Sequence, residues 1–308
     1  MPLFATDLAR RSVNNGFVLV SAALVVMMTP ALALFYSGFV RSRNVLNTMV
    51  MSFSAMAVVS VLWLLFGYSL AFAPGSGPLA PFIAGWQWAG LANWSAPAAG
   101  GQLSQGAVAL FQASFAIITP ALISGAVVER MDFRAWELFL VLWSTLIYLP
   151  LAHMVWGPGG FLGPDGLGAI DFAGGLVVEL PSGVAATVAA LVCYQALQLK
   201  NRWRLDDSLD VLPVHGVAGL LGTLLTGVFT LRTLNPAGAD GLRLGKAAQL
   251  WIQCQAAGFT ILFVGVGTYV ILQLIRLVVP LRVNDIEETQ GLDINAHGEE
   301  AYNSEFTG

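Results

Sequence analysis

Charge is what this 308-residue chain has least of: 10% of its residues are Asp, Glu, Lys or Arg, against about 25% in an ordinary soluble domain. Between Arg43 and Glu129 lie 85 residues without one charged side chain. A water-soluble globule cannot cover its surface with such a stretch, so that class is excluded. Lysine is rarer still. Lys200 and Lys246, the only two, stand at loop edges, which excludes a retinal-type Schiff base within a span. The two cysteines, Cys193 and Cys254, sit in apolar runs and read as buried free thiols. With three histidines they make no four-ligand metal set, and no cofactor is implied. No basic patch suggests nucleic acid. No nucleophile–base constellation suggests an enzyme.

What is present is hydrophobicity, 56% of residues. A membrane helix needs about 20 mostly apolar residues, and seven segments qualify: 14–39, 45–73, 106–128, 136–156, 170–199, 211–231 and 248–280. The expected fold is all-α, a polytopic helical bundle of about seven spans. The first segment runs past the length of a signal-peptide core and is read as a span. With the N-terminus outside, the inner loops and the end of the last span hold nine bases and the outer loops five. The positive-inside rule therefore predicts an N-out, C-in topology in the cytoplasmic membrane. The Pro-, Gly- and Trp-rich stretch 74–101 reads as an outer loop in the headgroup zone. Residues 1–282 form the membrane domain. Residues 283–308 carry seven acids and no Lys or Arg and read as an acidic cytoplasmic tail, solvated on composition alone.

Ionisable groups inside spans are expensive and mark function by default. Glu179 lies within the fifth segment and His215 near the start of the sixth. Asp171 precedes Glu179 by eight residues, and Asp207 precedes His215 by eight. Each Asp stands where a span begins and suits a helix start. In a helix, eight residues place the deeper group about 12 Å further in. Matched spacing in two spans entering from opposite faces is the footprint of an inverted repeat, with its site near the midplane. Phe111 and Phe115 share one helical face, and Trp156 ends the fourth span on the same side of the membrane. Such faces attract a cation at about 0.5–2 kcal/mol each, although a belt of packing aromatics has the same composition. His153 reads as structural.

Five internal strings and the tail resemble the ammonium transporter family (Amt/Mep/Rh): Ala33–Asn47 (ALFYSGFVRSRNVLN), Ile123–Arg130 (ISGAVVER), Pro150–Gly157 (PLAHMVWG), Asp171–Gly175 (DFAGG), Asp206–Gly216 (DDSLDVLPVHG) and Gly291–Tyr302 (GLDINAHGEEAY). They run in order along nearly the whole chain. The resemblance implies a homotrimer in the lipid bilayer, each protomer with its own narrow pore for ammonium/ammonia, and a PII-type regulatory protein as partner at the cytoplasmic face. It implies an outer gate at Phe111 and Phe115, ammonium recruitment at Trp156, a structural carboxylate at Asp171, with Asp207 its counterpart by the repeated spacing, and a pore proton relay at His215 and Glu179. Glu179 stands where the family usually has the first of two histidines, a substitution also found in some fungal members. Bacterial members usually have eleven spans. Here the fifth-span pattern, Asp171 to Val192, runs straight into Cys193–Asn201, which resembles the end of the family's ninth span. About four spans are thus expected to be absent, with the fifth and ninth fused. A non-conducting ammonium sensor or regulatory subunit, or an internally deleted inactive relative, are the alternatives this shortening raises.

Overall fold

The structure is a computed structural model that describes residues 2–98, 101–195 and 208–302. Its described residues contain seven helical segments long and apolar enough to cross a membrane: span 1 Arg10–Ser37, span 2 Ser42–Phe72, span 3 Gln105–Val127, span 4 Phe133–Trp156, span 5 Gly175–Cys193, span 6 Leu212–Phe229 and span 7 Ala247–Arg276. They match the seven expected segments, with one shift of detail. Asp171–Gly174 is a capping turn and not the first turn of span 5.

Helix starts follow the sequence. Ser104 accepts from the Ala107 amide at the start of span 3, and Asp132 accepts from the amides of Arg134 and Ala135 at the start of span 4, each satisfying amides that a first helical turn leaves bare. Spans 3, 4 and 5 form the buried centre, while spans 1, 6 and 7 leave most of their residues uncovered. In an apolar surround every buried donor needs a partner. The indoles of Trp63, Trp136, Trp143 and Trp156 each find one, in Ala109 O, Met51 O, Thr268 Oγ1 and Asp171 O. Cys193 is buried as expected, but Cys254 is exposed on span 7, one of the outward helices. Apolar neighbours in sequence do not distinguish a core from a lipid-facing surface.

The described residues after Arg282, 283–302, are not a free acidic end. Val283 N donates to Arg130 O, and Arg282 pairs with Glu288 at 2.7 Å. Asn284 opens a short helix, Asp285–Gln290, with a reciprocal capping box to Glu287. Asp293, 1% exposed, accepts from the amides of Leu46 and Asn47 at 3.0 and 2.7 Å. Its charge sits on the positive start of span 2. His297 Nε2 donates to Asn47 Oδ1 at 3.0 Å, and its ring meets Phe133 edge-on.

Burial lowers the basicity of His297, with Asp293 opposing. The docked tail therefore favours neutral imidazole. Docking is complete above the free histidine value of about 6.5 and weakens as pH falls below it, through the lowered value. Amide exchange at Leu46, Asn47 and Leu292, the last of which donates to Asn44 Oδ1, is expected, once corrected for intrinsic rates, to quicken between about pH 7.5 and 5.5. A His297→Phe variant is expected to lose that change. Equal protection at both pH values in the parent would sink the assignment.

Candidate functional site

Two chain segments that enter the bundle from opposite faces build the site. Span 5 begins at the turn Asp171–Gly174, where Gly174 has φ +87°, a conformation that favours glycine. The Asp171 carboxylate accepts from five successive amides, Ala173 to Val177, at 2.6–3.3 Å. This is the capping role the sequence suggests. Asp207, its expected counterpart, lies outside the described residues. Trp156 Nε1 donates to Asp171 O at 3.0 Å, so the same turn fixes the indole. Phe115 lies 6.0 Å from Trp156 and 5.0 Å from Phe111, ring centre to ring centre. The three aromatics expected to act together do converge. They line a vestibule of about 460 Å³ with Tyr68, Phe72 and Trp88.

Tyr68 and Trp88 were not foreseen. Their rings stack at 5.7 Å, and Trp88, half-buried, comes from the stretch read as a headgroup-zone loop. Trp86 and Trp94 of that stretch are exposed. His153 is fully buried, and its two ring nitrogens lie 2.9 and 2.7 Å from the carbonyls of Ala71 and Ala80. It ties span 4 to the end of span 2 and to the turn beyond, which agrees with a structural role.

Below the vestibule, His215 Nδ1 donates to Glu179 Oε2 over 2.6 Å. Thirty-six residues separate them in sequence. Two local features bring them together. Each sits on a wide helical turn, Gly175–Glu179 and Leu212–Val217, of the π type that recurs at functional sites. Spans 5 and 6 also touch backbone to backbone: a methyl group on Gly183 would overlap the Gly216 backbone. The pair is only partly covered. The Glu179 side chain is 35% exposed and the His215 side chain 18%. It opens on a largely apolar groove of about 460 Å³ formed with spans 1 and 3. Phe115 and Ala173 line both vestibule and groove, so the two spaces lie side by side with these residues between them.

The sequence and the fold have known counterparts. A sequence profile of the Ammonium Transporter Family matches residues 16–193 and 186–302. The chain belongs to the ammonium transporter family. It is 34% identical to an ammonium transporter of Bacillus subtilis (strain 168), over 94% of this chain and 98% of the relative. It is 33% identical to a putative ammonium transporter of Methanothermobacter thermautotrophicus, with the same coverage. Among solved structures, Candida albicans Mep2 superposes with a TM-score of 0.75, 22% identity and coverage of 89% of this chain and 86% of that one. A structure described as a sensor Amt protein gives 0.77, 17% identity and coverage of 94% and 99%. At those identities the structures establish the fold alone.

Within the family this member is short. The alignment to the Bacillus transporter extends over 403 positions, so that relative carries roughly 100 residues absent here, enough for about four crossings. The two matched pieces meet on residues 186–193, inside span 5. That is the neighbourhood where the sequence passes from fifth-span to ninth-span character.

Proposed function

We propose that this chain moves ammonium/ammonia across the cytoplasmic membrane. The observation that carries the reading is the Glu179–His215 hydrogen bond, in a groove next to the vestibule that Phe111, Phe115 and Trp156 line. Ammonium is costly to bring into hydrocarbon. Aromatic faces replace part of its hydration and favour loss of a proton. Ammonia then travels through the apolar space. The hydrogen-bonded pair Glu179–His215 takes up the released proton and returns it to ammonia on the far side. Asp171 holds the turn that aims Trp156. Asp207 is the matching carboxylate of span 6.

The proposed setting is a homotrimer with the N-terminus outside and the tail in the cytoplasm. Residues 1–282 are then the membrane domain and residues 283–308 the cytoplasmic tail, with a PII-type protein as regulator at that face. A second reading has one observation in its favour. The pair lies open to one side, where a closed pore would be covered. That suits a non-conducting ammonium sensor.

Current driven by ammonium or methylammonium in proteoliposomes separates the two. Saturable current is the expected result. Ligand binding without current, from folded and assembled protein, would favour the sensor.

A further inference from the structure

We infer that the groove beside Glu179 and His215 is a lateral binding site for single-chain alkylamines, whose protonated head meets Glu179 and whose tail lies along span 1. The inference rests on the reading of these two residues as the ammonium-handling pair, and it widens the class of amine the site takes.

Three features of the groove converge on such a ligand. Its floor holds the Glu179 carboxyl group, whose Oε2 is engaged by His215 and whose other oxygen has no hydrogen bond to the described residues. An alkylammonium offers three N–H donors and a positive charge to a carboxyl oxygen. The walls are apolar, with Val25, Met28, Leu32 and Phe35 from span 1 facing Ile118 and Leu122 of span 3. From Val25 to Phe35 span 1 rises about 15 Å, which accommodates an extended linear chain of about ten carbons. The groove is also open at the side, because the neighbouring faces of spans 1 and 6 are uncovered: Met28 is 50% exposed and Val214 57%. An amphiphilic amine dissolved in the bilayer therefore reaches Glu179 without passing the vestibule.

The polar head, and not the tail, is the source of selectivity. Lipid is as apolar as the groove walls, so moving a tail from bilayer to protein gains little. An alcohol of equal length has the same tail and no charge, and methylammonium has the same charge and no tail.

The test uses the full chain in nanodiscs of phosphatidylcholine and phosphatidylglycerol, which contain no primary amine. Binding of radiolabelled n-decylammonium is measured in competition with n-decanol and with methylammonium. Unlabelled n-decylammonium is expected to displace the label at concentrations at least tenfold below those of either competitor. Glu179→Gln, close to isosteric, is expected to remove the advantage over decanol. Ala31→Trp, which fills the groove wall, is expected to remove the advantage over methylammonium. Equal displacement by decanol in the parent protein, or unchanged preferences in both variants, would overturn the site. Ammonium-driven current in the same protein reads the transport proposal separately. Current without specific displacement sinks the groove site alone, and displacement without current sinks transport alone.

Discussion

His215→Ala is expected to lower ammonium-driven current in proteoliposomes by about 100-fold or more, the scale on which positioned acid–base groups act. Removing the imidazole takes away the only described partner of Glu179 Oε2. The carboxylate then either binds a proton it cannot hand on or draws in water, and each outcome interrupts the transfer. Glu179→Ala is expected to do the same from the other side. Because the two residues act as a unit, the double variant should be little worse than either single one, a strongly non-additive cycle. Glu179→His puts a second imidazole beside the first and is expected to retain current while shifting its dependence on pH. Parental current in both alanine variants would remove the proton role. Protein level and oligomeric state in the membrane control for misfolding.

Asp171→Ala is expected to destabilise the fold by about 3–5 kcal/mol, read from thermal or denaturant unfolding in a fixed detergent. The reason lies in the number of donors it serves. Five amides, Ala173 to Val177, converge on its two oxygens, and a hydrogen bond to a charged group contributes about 1.5–3 kcal/mol. Those contributions do not add in full, since the vestibule beside the turn admits water that replaces some of them. Asp171→Asn keeps one acceptor oxygen but turns an amino group toward the amide donors, so an intermediate loss is expected. The same variants should loosen Trp156, whose indole donates to the Asp171 carbonyl. Loss of less than about 1 kcal/mol in the alanine variant would show that the turn holds itself without the carboxylate.

Glu179 and His215 were visible in the sequence for a simple physical reason: each is an ionisable group in a long apolar run, and hydrocarbon tolerates few of them. Their contact across thirty-six residues was hinted at by the repeated eight-residue spacing after an aspartate, of which the Asp171 member is seen as a cap. The span positions were legible because hydropathy is a direct record of the solvent each segment meets. Other features leave no such record. A wide helical turn adds one residue to a helix without altering composition. Tyr68 and Trp88 are ordinary aromatics in a chain that is 11% aromatic, and only the folded loop brings one over the other. Cys254 and Cys193 share the same kind of neighbours, yet one faces outward and the other inward. The docking of the tail was not legible in composition, because Asp293 meets two backbone amides that no side-chain pattern advertises.

That attachment has a consequence for how the protein is made. The amides at the start of span 2 leave the ribosome's exit tunnel well before their acceptor, Asp293, which follows 246 and 247 residues later. At a synthesis rate of about 5–20 residues per second, the interval is on the order of 10 to 50 seconds. Throughout that time the beginning of span 2 has to be satisfied by water or lipid headgroups. A later helical turn thus completes an earlier one, and a chain released just before Asp293 keeps all seven described membrane segments while leaving the start of span 2 unfinished.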